Sequence, residues 1–286
     1  MSTAPRLRSL ILDVVRSSRG HDLPLYAAGV TFYAAVALVP LLLVGLWLAG
    51  HLAGEATVRH LAASLASVLP EQAGAGDATR FLADAGTRLT PVQVLSALVP
   101  ASIYGEGLVR AFDRLSEHGD RGRRPLRGRL GSLAVIGVSP LLLLAGLGAA
   151  GGLISRLGDG IGPQLLGVYV AFVVAWVITS LLLVFAYRGL APERPCPRAL
   201  AWGAAATGSF VAGCSLGFVL FLSLNLDLGR AYGGSTALAV AAISVVWLYG
   251  LHLVVLIGYV LTLRLDARRG HPLAEPVQAD GLRAAA

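Results

Sequence analysis

RAFDRLSEHGDRGRRPLRGR, residues 110–129, carries seven arginines in twenty positions and lies between long apolar stretches. Arginine-dense loops beside membrane spans stay on the cytoplasmic side, because their translocation is unfavourable and the inner leaflet is anionic. The flanking stretches therefore read as spans, and this loop fixes the side of every other connection by alternation. With 56% hydrophobic and only 14% charged residues over 286 positions, the chain is far from a soluble domain, whose charged fraction is about 25%. The reading is an all-α, polytopic membrane helix bundle.

The net charge of +7 comes entirely from arginine, since no lysine occurs. In a membrane chain such a charge is an orientation signal before it is a nucleic-acid signal, and no nucleic-acid partner is expected. Cys196 and Cys214 fall in a cytosolic loop and inside a span, which excludes a structural disulfide between them. No cofactor or metal is expected either. The first apolar run is longer than a signal-peptide core and lacks a small-residue cleavage site after it, so it is expected to remain as a span.

Six spans are predicted, at about 25–50, 89–109, 130–155, 164–187, 199–224 and 236–263, together forming a transmembrane domain over 25–265. Residues 1–24 are a cytosolic N-terminus in which Leu7, Leu10, Ile11, Val14 and Val15 share one face of an interfacial helix. A soluble amphipathic helix packed on the cytosolic loops is the alternative. Pro40 predicts a kink in the first span. Residues 51–90 read as an outer helical hairpin, with Val58, Leu61, Ala62, Leu65 and Leu69 on one piece and Phe81, Leu82, Ala85 and Leu89 on the other, broken by Pro70 and the turn at 74–76. The second span is expected to run on as a helix to about Glu117. Gly148 with Gly152, and Gly213 with Gly217, are spaced for close helix approach. The tail at 266–286 is polar and reads as disordered. Of the 23 basic residues, 18 fall in segments that this topology places inside, with both termini cytoplasmic.

With the spans placed, several stretches resemble the YihY/virulence factor BrkB family of bacterial inner-membrane proteins, once mislabelled as ribonuclease BN. Ala27-Ala28-Gly29-Val30-Thr31-Phe32-Tyr33-Ala34, leading to Pro40-Leu41-Leu42, is similar to the family's Ala-Ala-Gly-x-x-Tyr-Tyr-Ala and its following Pro-Leu-Leu. Gly107-Leu108-Val109-Arg110-Ala111-Phe112-Asp113-Arg114 resembles the segment that opens the basic loop, although the family more often has Asn at the place of Asp113. The Pro192 region, Trp202-Gly203-Ala204, Asn225, Tyr232-Gly233 and Trp247-Leu248-Tyr249 follow the family order. One departure is that Gly258-Tyr259-Val260 stands where the family has Gly-Ala-Glu. The resemblance covers about 14–265 and implies six helices in an inner membrane, with links to envelope lipids as an expectation.

Two functions fit this reading: a transporter or lipid translocator of the cell envelope, and a non-catalytic scaffold or accessory subunit of an envelope complex. Membrane lipids and anionic inner-leaflet headgroups are the expected partners. Charges inside a bilayer cost about 2.5–3.5 kcal/mol on insertion scales, which makes Glu106, Arg110 and Asp113, on one helix face, candidates for a substrate pathway. The alternative for them is a paired, partly solvated helix end. His252, deep in the sixth span, reads as a bonded core histidine or a proton relay. Trp47, Tyr187 and Tyr259 read as interface-belt aromatics. An RNA-cleaving enzyme would need clustered carboxylates and histidines, whereas the six histidines here are scattered, and no enzymatic role is expected.

Overall fold

The computed structural model describes residues 9, 12–14, 22–66, 74–116, 161–224 and 226–270, and all its regular elements are helices. These are α1 (Leu23–Ala53), α2 (Glu55–Ala66), α3 (Ala75–Thr87), α4 (Pro91–Leu115), α5 (Ile161–Gly189), α6 (Pro197–Leu222), a 3-10 turn at Leu228–Tyr232, and α7 (Thr236–Gly270). Five of them, α1, α4, α5, α6 and α7, are long and apolar enough to cross a membrane. The predicted third span at 130–155 with Pro140, Gly148 and Gly152, the basic loop beyond Ser116, Pro70 and most of the N-terminal helix lie outside the described residues.

Helix ends follow local chemistry. Thr90 caps α4, its Oγ1 accepting from the Gln93 N–H at 3.4 Å while the Gln93 carboxamide accepts from the Thr90 N–H at 2.9 Å, and Pro91 follows as the first helical residue. Pro40 lies within α1 and Pro100 within α4, yet each helix runs unbroken. Gly233 and Gly234 both adopt positive φ, which closes the turn into α7 at little steric cost. α7 has 35 residues, about 52 Å, and exceeds a hydrocarbon core by several turns. Residues 266–270 are thus helical, where the sequence reading had the disordered tail begin.

The helices pack in a row, α4 against α1, α1 against α7, α7 against α6 and α6 against α5. At one end, which we call the basic end, a core of Leu23, Ala27, Leu108, Phe112, Leu115, Tyr187, Leu200, Tyr259 and Val260 joins the row. Tyr187 and Tyr259 have 0% exposure, so they are core residues and not the interface-belt aromatics expected from sequence. Both rings contact Phe112, and their hydroxyls find acceptors inside the bundle: Val255 O for Tyr187 at 2.8 Å and Ser116 Oγ for Tyr259 at 2.8 Å. Val14 belongs to this core, and Asp13 pairs with Arg268, so the described N-terminal residues lie against the bundle.

At the opposite end α2 and α3 form the hairpin, seated on α1 through Leu46, Ala49, Val58, Ala62 and Ala83. A Cβ on Gly86 would stand 2.6 Å from the Leu46 Cβ, which is how closely α3 approaches α1. The buried face of α3 runs through Ala83, Gly86 and Thr87, and Phe81, expected on it, is 70% exposed. Arg59 links the two helices, 2.8 Å from Glu55 and 3.0 Å from Asp84. Such exposed pairs contribute about 0.2–1 kcal/mol.

Close packing of α6 against α7 rests on two reciprocal pairs. A Cβ on Gly203 would meet Thr262 Oγ1 at 2.0 Å, and one on Gly258 would meet Thr207 Oγ1 at 2.0 Å. Each threonine hydroxyl bonds the glycine carbonyl one turn earlier in its own helix, Thr207 to Gly203 at 2.7 Å and Thr262 to Gly258 at 2.8 Å. Gly208 makes the same kind of approach to Ser180 of α5. The glycines that sequence spacing marked for close helix approach are different: Gly213 would meet only Phe172, at 4.0 Å, and Gly217 nothing within 4 Å among the described residues. Four-residue spacing does not say which face a neighbour occupies. Gly258→Ala is expected to lose about 1–3 kcal/mol by overpacking, and Gly213→Ala to match the parent or gain up to about 1 kcal/mol, read by thermal unfolding in detergent.

Candidate functional site

Two polar features meet where α1, α4 and α7 approach the basic end. The first is a buried chain centred on His252. Its Nδ1 lies 2.8 Å from Leu248 O, the carbonyl one turn earlier in α7, and 3.2 Å from Thr31 Oγ1. Thr31 already donates its hydroxyl proton to Ala27 O at 2.7 Å, so Nδ1 is the donor to Leu248. Nε2 then accepts from the Tyr104 hydroxyl at 3.1 Å. One ring proton fills the whole pattern, with α1, α4 and α7 each contributing a group. Buried polar atoms in a low-dielectric setting must be paired in this way or carry a desolvation penalty.

The second feature is a groove of about 430 Å³ between α1 and α4. Leu25, Tyr26, Gly29, Val30 and Tyr33 of α1 form one wall, and Gly107, Arg110, Ala111 and Arg114 of α4 form the other. Gly29 leaves open space, since nothing lies within 4 Å of where its Cβ would be. Gly107 does the reverse: the Tyr33 ring rests against it, and a Cβ there would come within 2.6 Å of Cδ2. The Arg110 guanidinium is 2.5 Å from Glu106, one turn earlier in α4. Arg114, one turn later and exposed, has no ion pair among the described residues.

Of the residues expected in a substrate pathway, Arg110 lines the groove with Glu106 paired beside it. Asp113 is half-buried and not among the lining residues. His252 stands behind the groove, joined to it through Thr31 and Tyr104 on the two wall helices. Tyr33 lines the groove, Pro40 lies about two turns further along α1, Tyr232 and Gly233 form the turn that leads into α7, and Gly258 packs against α6. Asn225 lies outside the described residues. Val260, at the family's glutamate position, is buried in the apolar core, so no carboxylate stands there.

Arg114 and Tyr104 were missed as site residues. Arg114 continues the i, i+4 series of Glu106 and Arg110, and that spacing could have found it. Tyr104 carries no such signal, because its partner is 148 residues away. Among the described residues no three His, Cys, Asp or Glu side chains come together to hold a metal ion.

The fold and this site define a multi-pass α-helical membrane protein with a basic groove at one end of its bundle. The chain belongs to the Virulence factor BrkB family, whose family model matches residues 14–280. No curated protein and no solved structure matches it. The two stretches that carry the family resemblance, Ala27 to Ala34 and Gly107 to Arg114, face each other across the groove, and the first also supplies Thr31 to His252.

Tyr104→Phe removes the donor to Nε2 and is expected to cost about 1–3 kcal/mol in thermal unfolding. Tyr169→Phe, on the exposed face of α5, is the control and is expected to leave stability unchanged.

Proposed function

We propose that this protein is a transporter or lipid translocator of the cell envelope, with both termini in the cytoplasm and the basic end of the bundle at the inner leaflet. The observation that carries this reading is the groove: open space beside Gly29 and two arginines, between two membrane helices whose outward faces are otherwise apolar. A scaffold needs only a packed apolar interior, whereas a basic groove between spans suits a charged ligand, which favours the transporter reading. Arginines inside or at the edge of a bilayer are costly and mark pathways for charged groups. The orientation is supported by Arg110, Arg114, Arg188, Arg194, Arg198, Arg264 and Arg268, all on segments that converge at the Tyr187–Tyr259 end.

Purified protein in liposomes is expected to move labelled phospholipid between leaflets faster than empty vesicles. Equal rates across several headgroups would move the assignment to an accessory or scaffolding role. Reporter fusions after Arg121, Arg194 and Arg269 are expected to read cytoplasm, and fusions after Gly76 and Gly160 the outer side. An outer-side signal after Arg194 would invert the orientation.

A further inference from the structure

The exposed face of α4 changes character along its length. Val92, Leu95, Val99 and Ile103 form an exposed apolar stripe at helical spacing, and the same stripe continues as Glu106, Arg110 and Arg114. Ile103 and Arg110 are about 10 Å apart along the helix axis. Facing the charged part across the groove are Leu25, Tyr26 and Tyr33 of α1, and beyond them Phe32 and Val36 are exposed on that helix. A ligand that matches both walls is an amphiphile, with its anion at the arginines and its hydrocarbon alongside Ile103 and Val99.

We propose that this groove holds a membrane phospholipid by its phosphodiester, with Arg114 as the phosphate-binding cation and Glu106 as the residue that limits the site to one negative charge. The proposal rests on the lipid-handling reading above and names the class of lipid. Glu106 pairs with Arg110 at 2.5 Å, which leaves Arg114 as the groove-lining charge without an ion pair among the described residues. A phosphodiester carries one charge to match it. A phosphomonoester carries about −1.5 to −2 near neutral pH and would place excess negative charge beside Glu106. A zwitterionic headgroup brings its own cation next to the arginines. Guanidinium suits the phosphate because its planar fork donates two parallel hydrogen bonds to a pair of oxygens. A free phosphate ion would leave the apolar and aromatic wall of α1 without a partner.

The test is lipid retention by the full chain in nanodiscs of phosphatidylcholine doped with phosphatidylglycerol or phosphatidic acid, read by native mass spectrometry. The parent is expected to retain phosphatidylglycerol over phosphatidylcholine. Arg114→Gln is expected to lower that preference about tenfold or more, the range for a hydrogen bond to a charged group. Arg188→Gln makes the same charge change at the same end but outside the groove, and is expected to leave the preference as it was. Gly29→Leu fills the open space without altering charge and is expected to lower retention as Arg114→Gln does, with thermal unfolding to show that the fold persists. Glu106→Gln frees Arg110 and is expected to raise retention of phosphatidic acid relative to phosphatidylglycerol. Equal losses from Arg114→Gln and Arg188→Gln, or full competition by millimolar inorganic phosphate, would overturn the site. Selective retention without lipid movement would fail the translocator reading and leave the site standing; movement with undiminished retention by Arg114→Gln would do the opposite.

Discussion

Every polar group that these helices bury must find its partner within the protein, because a bilayer offers no water to bond it. The short side chains meet this locally. Thr31, Thr207, Thr262 and Ser116 each donate to the carbonyl one turn earlier in their own helix. That local bond is what allows Thr207 and Thr262 to be pressed against Gly258 and Gly203 without leaving an unsatisfied hydroxyl at the interface. The longer groups reach across: Tyr187 to Val255, Tyr259 to Ser116, Trp176 to Ala205 and Tyr104 to His252. Apolar surface drives little association when the solvent is hydrocarbon, so close approach and these cross-helix bonds hold the row together.

The groove follows from the same packing. α1 presents Ala27, Val30 and Ala34 inward and leaves Gly29 and Tyr33 on its flank. α4 meets it through Gly107, and the Tyr33 ring resting on that glycine forms part of the groove's wall. One stretch of α1 therefore serves both features, with Thr31 turned to His252 and Gly29 turned to the opening. A change in the α1 to α4 contact would disturb both. The departure at Val260 fits this arrangement, since that position packs into the apolar core with Tyr259 and Leu200 and is not among the residues lining the groove.

The sequence by itself determined the all-helical class of fold, the presence of long apolar helices able to cross a membrane, the hairpin after α1 and the i, i+4 spacing that pairs Glu106 with Arg110. These rest on composition, on uncharged length against bilayer thickness, and on spacing within one helix, all of which are local quantities. Only the tertiary structure decided which glycines are interfacial, that Tyr187 and Tyr259 are core residues, that Phe81 faces outward, and that His252 bonds Tyr104 and Thr31. Arg114 follows Glu106 and Arg110 at a spacing the sequence shows, but the α1 wall that faces it came only with the tertiary structure. In a membrane helix nearly every face is apolar, so the sequence carries no amphipathic signal to say which face meets a neighbour and which meets lipid. That choice is made by side chains far apart in the chain, through contacts such as Gly258 with Thr207 and Gly107 with Tyr33.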